Sequence, residues 1–225
     1  AYLILALSAT FLISISPLQQ DKDSNFTPFQ ALRANYRPKL PSSILGGVKL
    51  IEGTVTESVR DQSEIKKMFP NTYGMPIITF EKGNLAGEKN PINVGVMLLG
   101  GQAPGGHNVI SGLYDGLKSI HKDSKLYGFK GGASGLADHD YIELTGDIID
   151  QYRNTGGFDI IGSGRSKLEE AEQFDKGLEL CKKLGIKAIV IIGGDGSNTF
   201  ACILAEYYLS KNAGVQVIGV PKTID

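Results

Sequence analysis

Four short segments carry residues in patterns suited to holding a phosphate group or a metal ion; three combine glycine with polar or charged residues, and the fourth supplies a lysine, a threonine and an aspartate. They are Gly-Gly-Gln-Ala-Pro-Gly-Gly-His at 100–107, Gly-Ser-Gly-Arg-Ser-Lys at 162–167, Gly-Gly-Asp-Gly-Ser-Asn at 193–198 and Pro-Lys-Thr-Ile-Asp at 221–225. Glycine lets the backbone approach an anion closely, and a helix that begins after such a turn adds its positive end. Mg²⁺ is commonly bound through one or two carboxylates together with phosphate oxygens. The segments therefore indicate phosphate chemistry assisted by a metal ion.

The charged side chains in these segments each have a chemical interpretation and a plainer structural one. Asp195 can cap the helix that follows it, or it can bind Mg²⁺; the surrounding glycines leave room for a polyanion and favour the metal. Lys222 can neutralise a transferring phosphoryl group and Asp225 can accept a proton from an attacking hydroxyl, although charged residues after a strand are often only solvated. Arg165 is a suitable fork for a phosphate, although a lone loop arginine is usually solvated.

Strands that alternate with helices are expected to position these segments. Apolar runs predict strands at 92–99, 158–161, 187–192 and 215–220. Helices are predicted at 108–120, 169–184 and 197–210. In the second helix, Phe174, Leu178 and Cys181 share one face. This alternation predicts an α/β fold with a Rossmann-like parallel sheet and flanking helices, in which ligands bind at the carboxyl ends of the strands.

The sequence before this sheet divides into an apolar start and an irregular extension. Residues 1–16 carry no charge, but they are fewer than the roughly 20 residues that a helix needs to span a bilayer. They could be the core of a signal peptide, but no basic segment precedes them, so we favour an extension foreign to the fold. Proline punctuates the region that follows, which predicts irregular structure with one short helix at 57–68. The predicted division is 1–20, 21–91 and 92–225.

Composition excludes several functional classes. The chain has 23 Lys and Arg against 24 Asp and Glu, a net charge of -1, so binding to nucleic acid through a basic surface is not expected. Cys181 and Cys202 are too few for a disulfide scaffold, and both fall at helix positions consistent with packing. The histidines, His107, His121 and His139, lack metal-ligand spacing and are expected on the surface or in loops. We expect small-molecule substrates and no membrane or nucleic-acid partner.

Taken together, the four segments resemble the phosphofructokinase family. Three further segments look like its long, pyrophosphate-dependent clade: Tyr-Arg-Pro-Lys-Leu-Pro at 36–41, Phe-Pro-Asn-Thr-Tyr-Gly at 69–74 and Tyr-Arg-Asn-Thr-Gly-Gly-Phe-Asp at 152–159. The resemblance covers about residues 26–225. It implies Mg²⁺-dependent transfer of a phosphoryl group from pyrophosphate to the 1-hydroxyl of fructose 6-phosphate, giving fructose 1,6-bisphosphate and phosphate, a cytoplasmic reaction of glycolysis. It makes 92–225 a phosphoryl-donor-binding lobe.

The resemblance also implies a role for each matching residue. Donor-binding residues would be Gly100, Gly101, Gly196, Ser197 and Lys222. Residues that bind the sugar phosphate would be Thr223, Ile224 and Asp225. Arg165 would contact the donor or transferring phosphate, and Asp195 would bind Mg²⁺. Lys222 would stabilise the transition state, and Asp225 would be the base that deprotonates the 1-hydroxyl.

Two departures from the clade leave the donor open. Pyrophosphate-using relatives typically carry Asp where this chain has Gly196, and that carboxylate repels the α-phosphate of a nucleotide. Without it, ATP is an alternative donor. Phe200 stands where a small polar residue is usual, and an aromatic ring there is expected to crowd the donor pocket. We favour pyrophosphate because the other motifs resemble that clade.

Two further classes remain as rivals. A non-catalytic subunit that binds sugar phosphates is disfavoured because Asp195, Lys222 and Asp225 are all retained. A dinucleotide-dependent oxidoreductase is disfavoured because residues 100–107 lack the GxGxxG spacing. Relatives continue past Asp225 with a second lobe, so this chain is expected to be an N-terminal fragment that is inactive alone and forms a homodimer or larger assembly when full length.

Overall fold

The computed structural model describes residues 32–33, 35–39, 47–83, 90–166 and 168–222. The strands are β1 (Val48–Val55), β2 (Pro76–Lys82), β3 (Asn93–Leu98), β4 (Lys125–Phe129), β5 (Tyr141–Glu143), β6 (Ile186–Gly193) and β7 (Gln216–Pro221). The helices are α1 (Gln62–Met68), α2 (Gly106–Ile120), α3 (Ala133–Ala137), α4 (Gly146–Tyr152), α5 (Ala171–Leu184) and α6 (Asp195–Ser210). Within these ranges, none of the helices has both the length and the apolar character needed to cross a bilayer.

A five-stranded sheet forms the centre of the molecule, in the order β5-β4-β3-β6-β7. The four strands β4, β3, β6 and β7 are parallel, whereas β5 is antiparallel to β4 at the edge. In this register Leu98 lies opposite Ile192, and Ile192 lies opposite Val220. The residues that follow β3, β6 and β7 are therefore brought to the same edge of the sheet.

Helices cover both faces of this sheet, because successive strand side chains point to opposite sides. On one side Met97, Ile189 and Ile191 pack in a cluster with residues of α3, α5 and α6. On the other side Val96 and Val190 pack with residues of α2 and α4. The predicted face of α5 lies in the first cluster, with Phe174, Leu178 and Cys181 all buried. The predicted α/β sheet with flanking helices is confirmed, with one antiparallel edge strand that the sequence pattern did not indicate.

The sequence pattern predicts a strand at 158–161, but this segment forms a turn. Gly157 and Gly162 flank it with φ of 86° and 64°, values that take the chain out of an extended conformation. Only Gly164, further along, pairs with the sheet, through an isolated bridge to Leu99. Phe158 and Ile161 are buried and Ile160 is partly buried in a packed turn, which explains why the segment resembles a strand in sequence.

The region before the sheet contains more regular structure than the prolines predict. β1 and β2 form an antiparallel pair in which Leu50 lies opposite Phe80. Helix α1 begins at Gln62, five residues after the predicted start of 57. Its predicted apolar side (Val59, Ile65 and Met68) is not buried, since Val59 precedes the helix and is 97% exposed and Met68 is 68% exposed. This region also contacts α6, as described below, and the loop after α4, where Asn154 Nδ2 donates to the carbonyls of Arg33 and Tyr36 at 3.0 Å.

Candidate phosphate-binding site

One cleft of about 350 Å³ lies at the carboxyl ends of β3, β6 and β7. Its lining includes seven of the residues singled out in sequence: Gly100, Gly101, Arg165, Asp195, Gly196, Ser197 and Lys222. These come from three separate segments and from the start of α6. Thr223, Ile224 and Asp225, the remaining candidates, lie outside the described residues. The cleft occupies the edge at which open α/β sheets bind ligands.

The turn after β3 forms one wall of the cleft. Gly100 has φ of 80°, a conformation that favours glycine. Its N–H donates to the Gly164 carbonyl at 2.9 Å, and the Ser163 hydroxyl donates to the Gly100 carbonyl at 2.9 Å. A Cβ on Gly101 would meet no atom within 4 Å. Gly100 is thus fixed through both its N–H and its carbonyl, whereas Gly101 leaves open space where a side chain would be.

The start of α6 forms the opposite wall. A Cβ on Gly193 would collide with the Ser197 side chain and lie 2.9 Å from the Leu99 carbonyl, so glycine allows the helix to begin close to the end of β3. Asn198 Nδ2 donates to the carbonyls of Gly193 and Gly194 at 2.9 and 2.8 Å. The first amides of this 16-residue helix therefore face the cleft with the positive end of the helix dipole.

Asp195, the first residue of α6, is an exposed carboxylate in this cleft. Its Oδ1 accepts the N–H of Gly196 at 2.8 Å, and Oδ2 accepts no hydrogen bond from the part of the chain that the structure describes. No group of three or more potential metal-ligating side chains occurs among the described residues. A cation at Asp195 would therefore depend on ligand phosphate oxygens, which is the usual mode of Mg²⁺ binding beside a single carboxylate.

Two cations face the same space. Lys222 Nζ donates to the Gly101 carbonyl at 2.5 Å and lies 5.6 Å from the centre of the Phe158 ring. The Lys222 N–H donates to the Gly193 carbonyl at 2.9 Å, which continues the β7 pairing by one residue. Arg165 is exposed at the rim and forms no ion pair with any carboxylate of the described chain. The cleft thus combines one carboxylate, two cations and a helix N-terminus.

Phe200 does not crowd this cleft, contrary to the expectation from sequence. It is 1% exposed and packs in the core, with its ring stacked on Phe174 at a centroid distance of 6.4 Å. Phe200 lies on the face of α6 that is turned toward the sheet and α5, away from the residues that line the cleft. Phe200 is five residues after Asp195, a spacing that places the two side chains on different faces of a helix. This spacing is the sequence signal that could have predicted the position of Phe200.

His107 is a buried residue, which corrects the expectation of a surface or loop position. It lies in the first turn of α2, is 1% exposed, and forms hydrogen bonds through both ring nitrogens. The apolar pattern of α2 does not indicate this burial, because histidine is a polar residue and does not count toward an apolar face. Cys202 is a second correction, since it is exposed, whereas Cys181 is buried as expected.

Comparison with known proteins identifies the sequence relationship. The family model described as Phosphofructokinase matches residues 93–225. A pyrophosphate–fructose 6-phosphate 1-phosphotransferase of Porphyromonas gingivalis is 61% identical over 193 residues, which cover 86% of this chain and 35% of that protein. Subunit beta 1 of the enzyme of the same name from Arabidopsis thaliana is 47% identical over 90% of this chain and 36% of its own length. The chain spans about a third of the length of these relatives.

A solved structure supports the fold. A pyrophosphate-dependent phosphofructokinase from Nitrosospira multiformis matches 59% of this chain and 34% of its own chain, with a TM-score of 0.54 and 21% identity. That identity carries the fold alone. Because the family model covers more than half of the sequence, this chain belongs to the phosphofructokinase family.

Proposed function

We propose that this chain is the donor-binding lobe of a phosphotransferase that moves a phosphoryl group from pyrophosphate to the 1-hydroxyl of fructose 6-phosphate. The products would be fructose 1,6-bisphosphate and phosphate. The observation that carries the proposal is the convergence of Asp195, Lys222 and Arg165 with the Gly100 turn in one cleft. The similarity to relatives named for this reaction supplies the substrates.

Phosphoryl transfer needs little covalent chemistry from the protein and depends on positioning and charge stabilisation. The amides at the start of α6 and the open backbone at Gly101 would hold the donor phosphates. Arg165, which has no carboxylate partner among the described residues, would contact the donor or the transferring phosphate. Lys222 would stabilise the charge that develops during transfer, since its Nζ lies beside the glycine turn.

The site chemistry fits Mg²⁺. Asp195 presents one exposed carboxylate into the cleft, which suits a cation bound jointly by that carboxylate and by donor oxygens. Bound there, Mg²⁺ would offset the negative charge of the donor. The chain's own contribution is the fixed position of Asp195, whose Oδ1 is held by the Gly196 amide.

The sugar phosphate is assigned to the residues that follow Lys222. Thr223 and Ile224 would contact it, and Asp225 would accept the proton of the 1-hydroxyl as it attacks the donor. Lys222, which directly precedes them in sequence, lines the cleft, and this supports the assignment. The other sugar-phosphate contacts would come from residues that correspond to the part of the longer relatives beyond the matched region.

ATP remains a second candidate donor because of one residue. Gly196 lines the cleft at the start of α6 without a side chain, so no carboxylate there repels an α-phosphate. Phe200, the other departure, is buried and gives no obstacle to either donor. Pyrophosphate is preferred because the relatives at 61% and 47% identity carry it in their names.

The test is a donor assay on the protein expressed from its complete reading frame. Formation of fructose 1,6-bisphosphate from fructose 6-phosphate and Mg²⁺ is measured with pyrophosphate or ATP as donor. Turnover with pyrophosphate supports the leading proposal, and turnover with ATP alone replaces it with the second candidate. Turnover with neither donor contradicts both.

The assembly and the location follow the same proposal. A relative from Arabidopsis thaliana is named as a subunit, which supports an assembly of more than one subunit; for the full protein we propose a homodimer or larger assembly. The substrates are small phosphorylated metabolites, which supports a cytoplasmic location. We propose residues 92–225 as the donor lobe, with 21–91 as an extension attached to it.

A further inference from the structure

His107 lies buried between α2 and the loop that follows α4. Its Nε2 accepts the N–H of Ile160 at 3.1 Å, and its Nδ1 lies 2.7 Å from the Thr155 hydroxyl. The edge of the Tyr152 ring packs on it at a centroid distance of 5.0 Å. One side chain thus joins the first turn of α2 to two points of the same loop.

These contacts select one form of the imidazole. A backbone N–H can only donate, so Nε2 must be unprotonated to accept the Ile160 amide. The proton of the neutral ring is therefore on Nδ1, which donates to Thr155 Oγ1. The Thr155 hydroxyl in turn donates to the Tyr152 carbonyl at 2.7 Å. Every polar atom in this chain of contacts is satisfied by neutral His107 and by no other protonation state.

The loop that His107 holds, Thr155–Ile160, lies next to the donor cleft. Phe158 packs directly over Gly106, where a Cβ would collide with its ring. The same ring lies 5.6 Å from Lys222 Nζ. The His107 N–H also donates to the Gly157 carbonyl at 3.2 Å, so the backbone and the side chain of His107 both fix this loop.

The loop also leads to the second cation of the cleft. Beyond Ile160, the Ile161 carbonyl accepts the N–H of Gly131 at 3.0 Å, and the Gly164 carbonyl accepts the N–H of Gly100 at 2.9 Å. Arg165 follows directly. A shift of the segment after Thr155 would therefore be transmitted to the glycine turn and to Arg165.

We propose that His107 is a positioning residue for the donor site, which holds the Thr155–Ile160 loop so that Phe158, Lys222 and Arg165 are correctly placed around the donor. His107 does not line the cleft and touches no reacting group. This inference rests on the proposed phosphotransferase function, and it adds a residue for which the glycine motif alone gave no role.

The inference is tested with two substitutions that differ in one contact. His107→Leu keeps bulk but removes both hydrogen bonds, whereas His107→Gln retains an acceptor for the Ile160 amide. The KM for Mg²⁺–pyrophosphate is expected to rise and kcat/KM to fall about ten- to a hundredfold in His107→Leu, since small misplacements are costly in catalysis. His107→Gln is expected to recover a large part of this loss. The KM for fructose 6-phosphate is expected to change less than twofold in both.

The control is His139→Asn, at an exposed position with φ of 59° that Asn tolerates, and wild-type kinetics are expected. If His107→Leu does not fold, Thr155→Val removes the Nδ1 partner with little change of shape and is expected to raise the donor KM in the same direction. Wild-type kinetics in a folded His107→Leu or Thr155→Val protein would overturn the inference, as would equal losses with both substrates.

Failure of the proposed function gives a different result. If the wild-type protein phosphorylates fructose 6-phosphate with neither donor, calorimetric titration with Mg²⁺–pyrophosphate replaces the kinetic readout. Weaker binding by His107→Leu than by wild type and His139→Asn supports the positioning role without the reaction. Equal binding, or no binding by the wild type, overturns it.

Discussion

Lys222 Nζ and the Gly101 carbonyl oxygen are 2.5 Å apart, although the two residues are separated by 121 positions in sequence. The contact joins the residue after β7 to the glycine turn after β3, across the end of the intervening strand β6. The lysine is thereby held over the open side of Gly101. A phosphate bound at this turn would meet the ammonium group without a rearrangement of the sheet.

Replacement of Lys222 by Met tests this placement. The substitution removes the cation, which lies 5.6 Å from the centre of the Phe158 ring, and keeps a long apolar side chain. We expect kcat with pyrophosphate to fall about 10²- to 10³-fold, the usual effect of removing one donor that stabilises transition-state charge. Steady-state kinetics provide the measurement, and Lys66→Met on the exposed helix α1 is the control. A loss below threefold would rule out a role in charge stabilisation.

Replacement of Gly196 by Asp tests donor choice. Two unit charges 4 Å apart at an effective dielectric of 20 repel by about 4 kcal/mol, which corresponds to about a thousandfold in binding. We expect any turnover with ATP to fall by up to that factor while turnover with pyrophosphate is largely kept. Gly196→Ala adds bulk without charge and separates the two effects, since it should affect both donors alike. Undiminished use of ATP by Gly196→Asp would show that another feature selects the donor.

The Glu206 carboxylate fastens the region before the sheet to α6. It accepts hydrogen bonds from the backbone N–H groups and the side chains of Asn71 and Thr72, at distances of 2.6 to 3.2 Å. Partial burial raises the pKa of Glu206, but these hydrogen bonds outweigh it and lower the pKa overall. The stabilisation is therefore present above the ordinary pKa of about 4.5 and is lost as the pH falls through the lower folded value.

Glu206→Gln is expected to weaken this attachment. The neutral amide accepts fewer of these hydrogen bonds, and hydrogen bonds to charged groups are worth about 1.5–3 kcal/mol when buried; at this half-exposed site we expect a loss of about 1 kcal/mol. Limited proteolysis within 47–83 and chemical unfolding are the measurements, with exposed Glu179→Gln as the control. Unchanged protection of 47–83 would contradict the assignment of Glu206 as the anchor.

The buried imidazole of His107 predicts a stability change near neutral pH. Burial lowers its pKa below 6.5, against the charge of Asp159 and the Gly156 backbone hydrogen bond, which raise it. The imidazole is therefore protonated more readily in the unfolded chain than in the folded protein. The free energy of unfolding is highest above about pH 6.5 and declines as the pH falls from there through the lower folded pKa. In thermal unfolding, the difference between wild type and His107→Gln should shrink on acidification. A constant difference from pH 5 to 8 would contradict this.

Sequence patterns predicted the strands that are buried on both faces and the helices that are long enough to show an apolar period. Strands β3 and β6 and helix α5 follow from continuous or periodic apolar residues, and the bounds differ from prediction by one or two residues. The short strands β4 and β5 and helices α3 and α4 were missed, because each is too short to show a period. The pair β1 and β2 was missed because the residues 56–75 between them include a helix and give no hairpin signal.

The candidate site was more predictable than the fold around it. Gly100 and Gly101 follow β3, Asp195 follows β6, and Lys222 follows β7. Because these strands are parallel neighbours, their carboxyl ends lie together. Two buried residues near the site were misjudged: Phe200 was expected to crowd the pocket, and His107 was expected on the surface or in a loop. In both cases the direction of the side chain depends on how a helix is rotated against the sheet, which single-residue motifs do not specify.

We propose that the cleft at the ends of β3, β6 and β7 binds a phosphoryl donor with Mg²⁺ at Asp195. Calorimetric titration of pyrophosphate into the complete protein, with and without Mg²⁺, tests it directly when repeated with Asp195→Asn. We predict binding that depends on Mg²⁺ in the wild type and is at least tenfold weaker in Asp195→Asn. Equal, Mg²⁺-independent affinities for the two proteins would contradict the account.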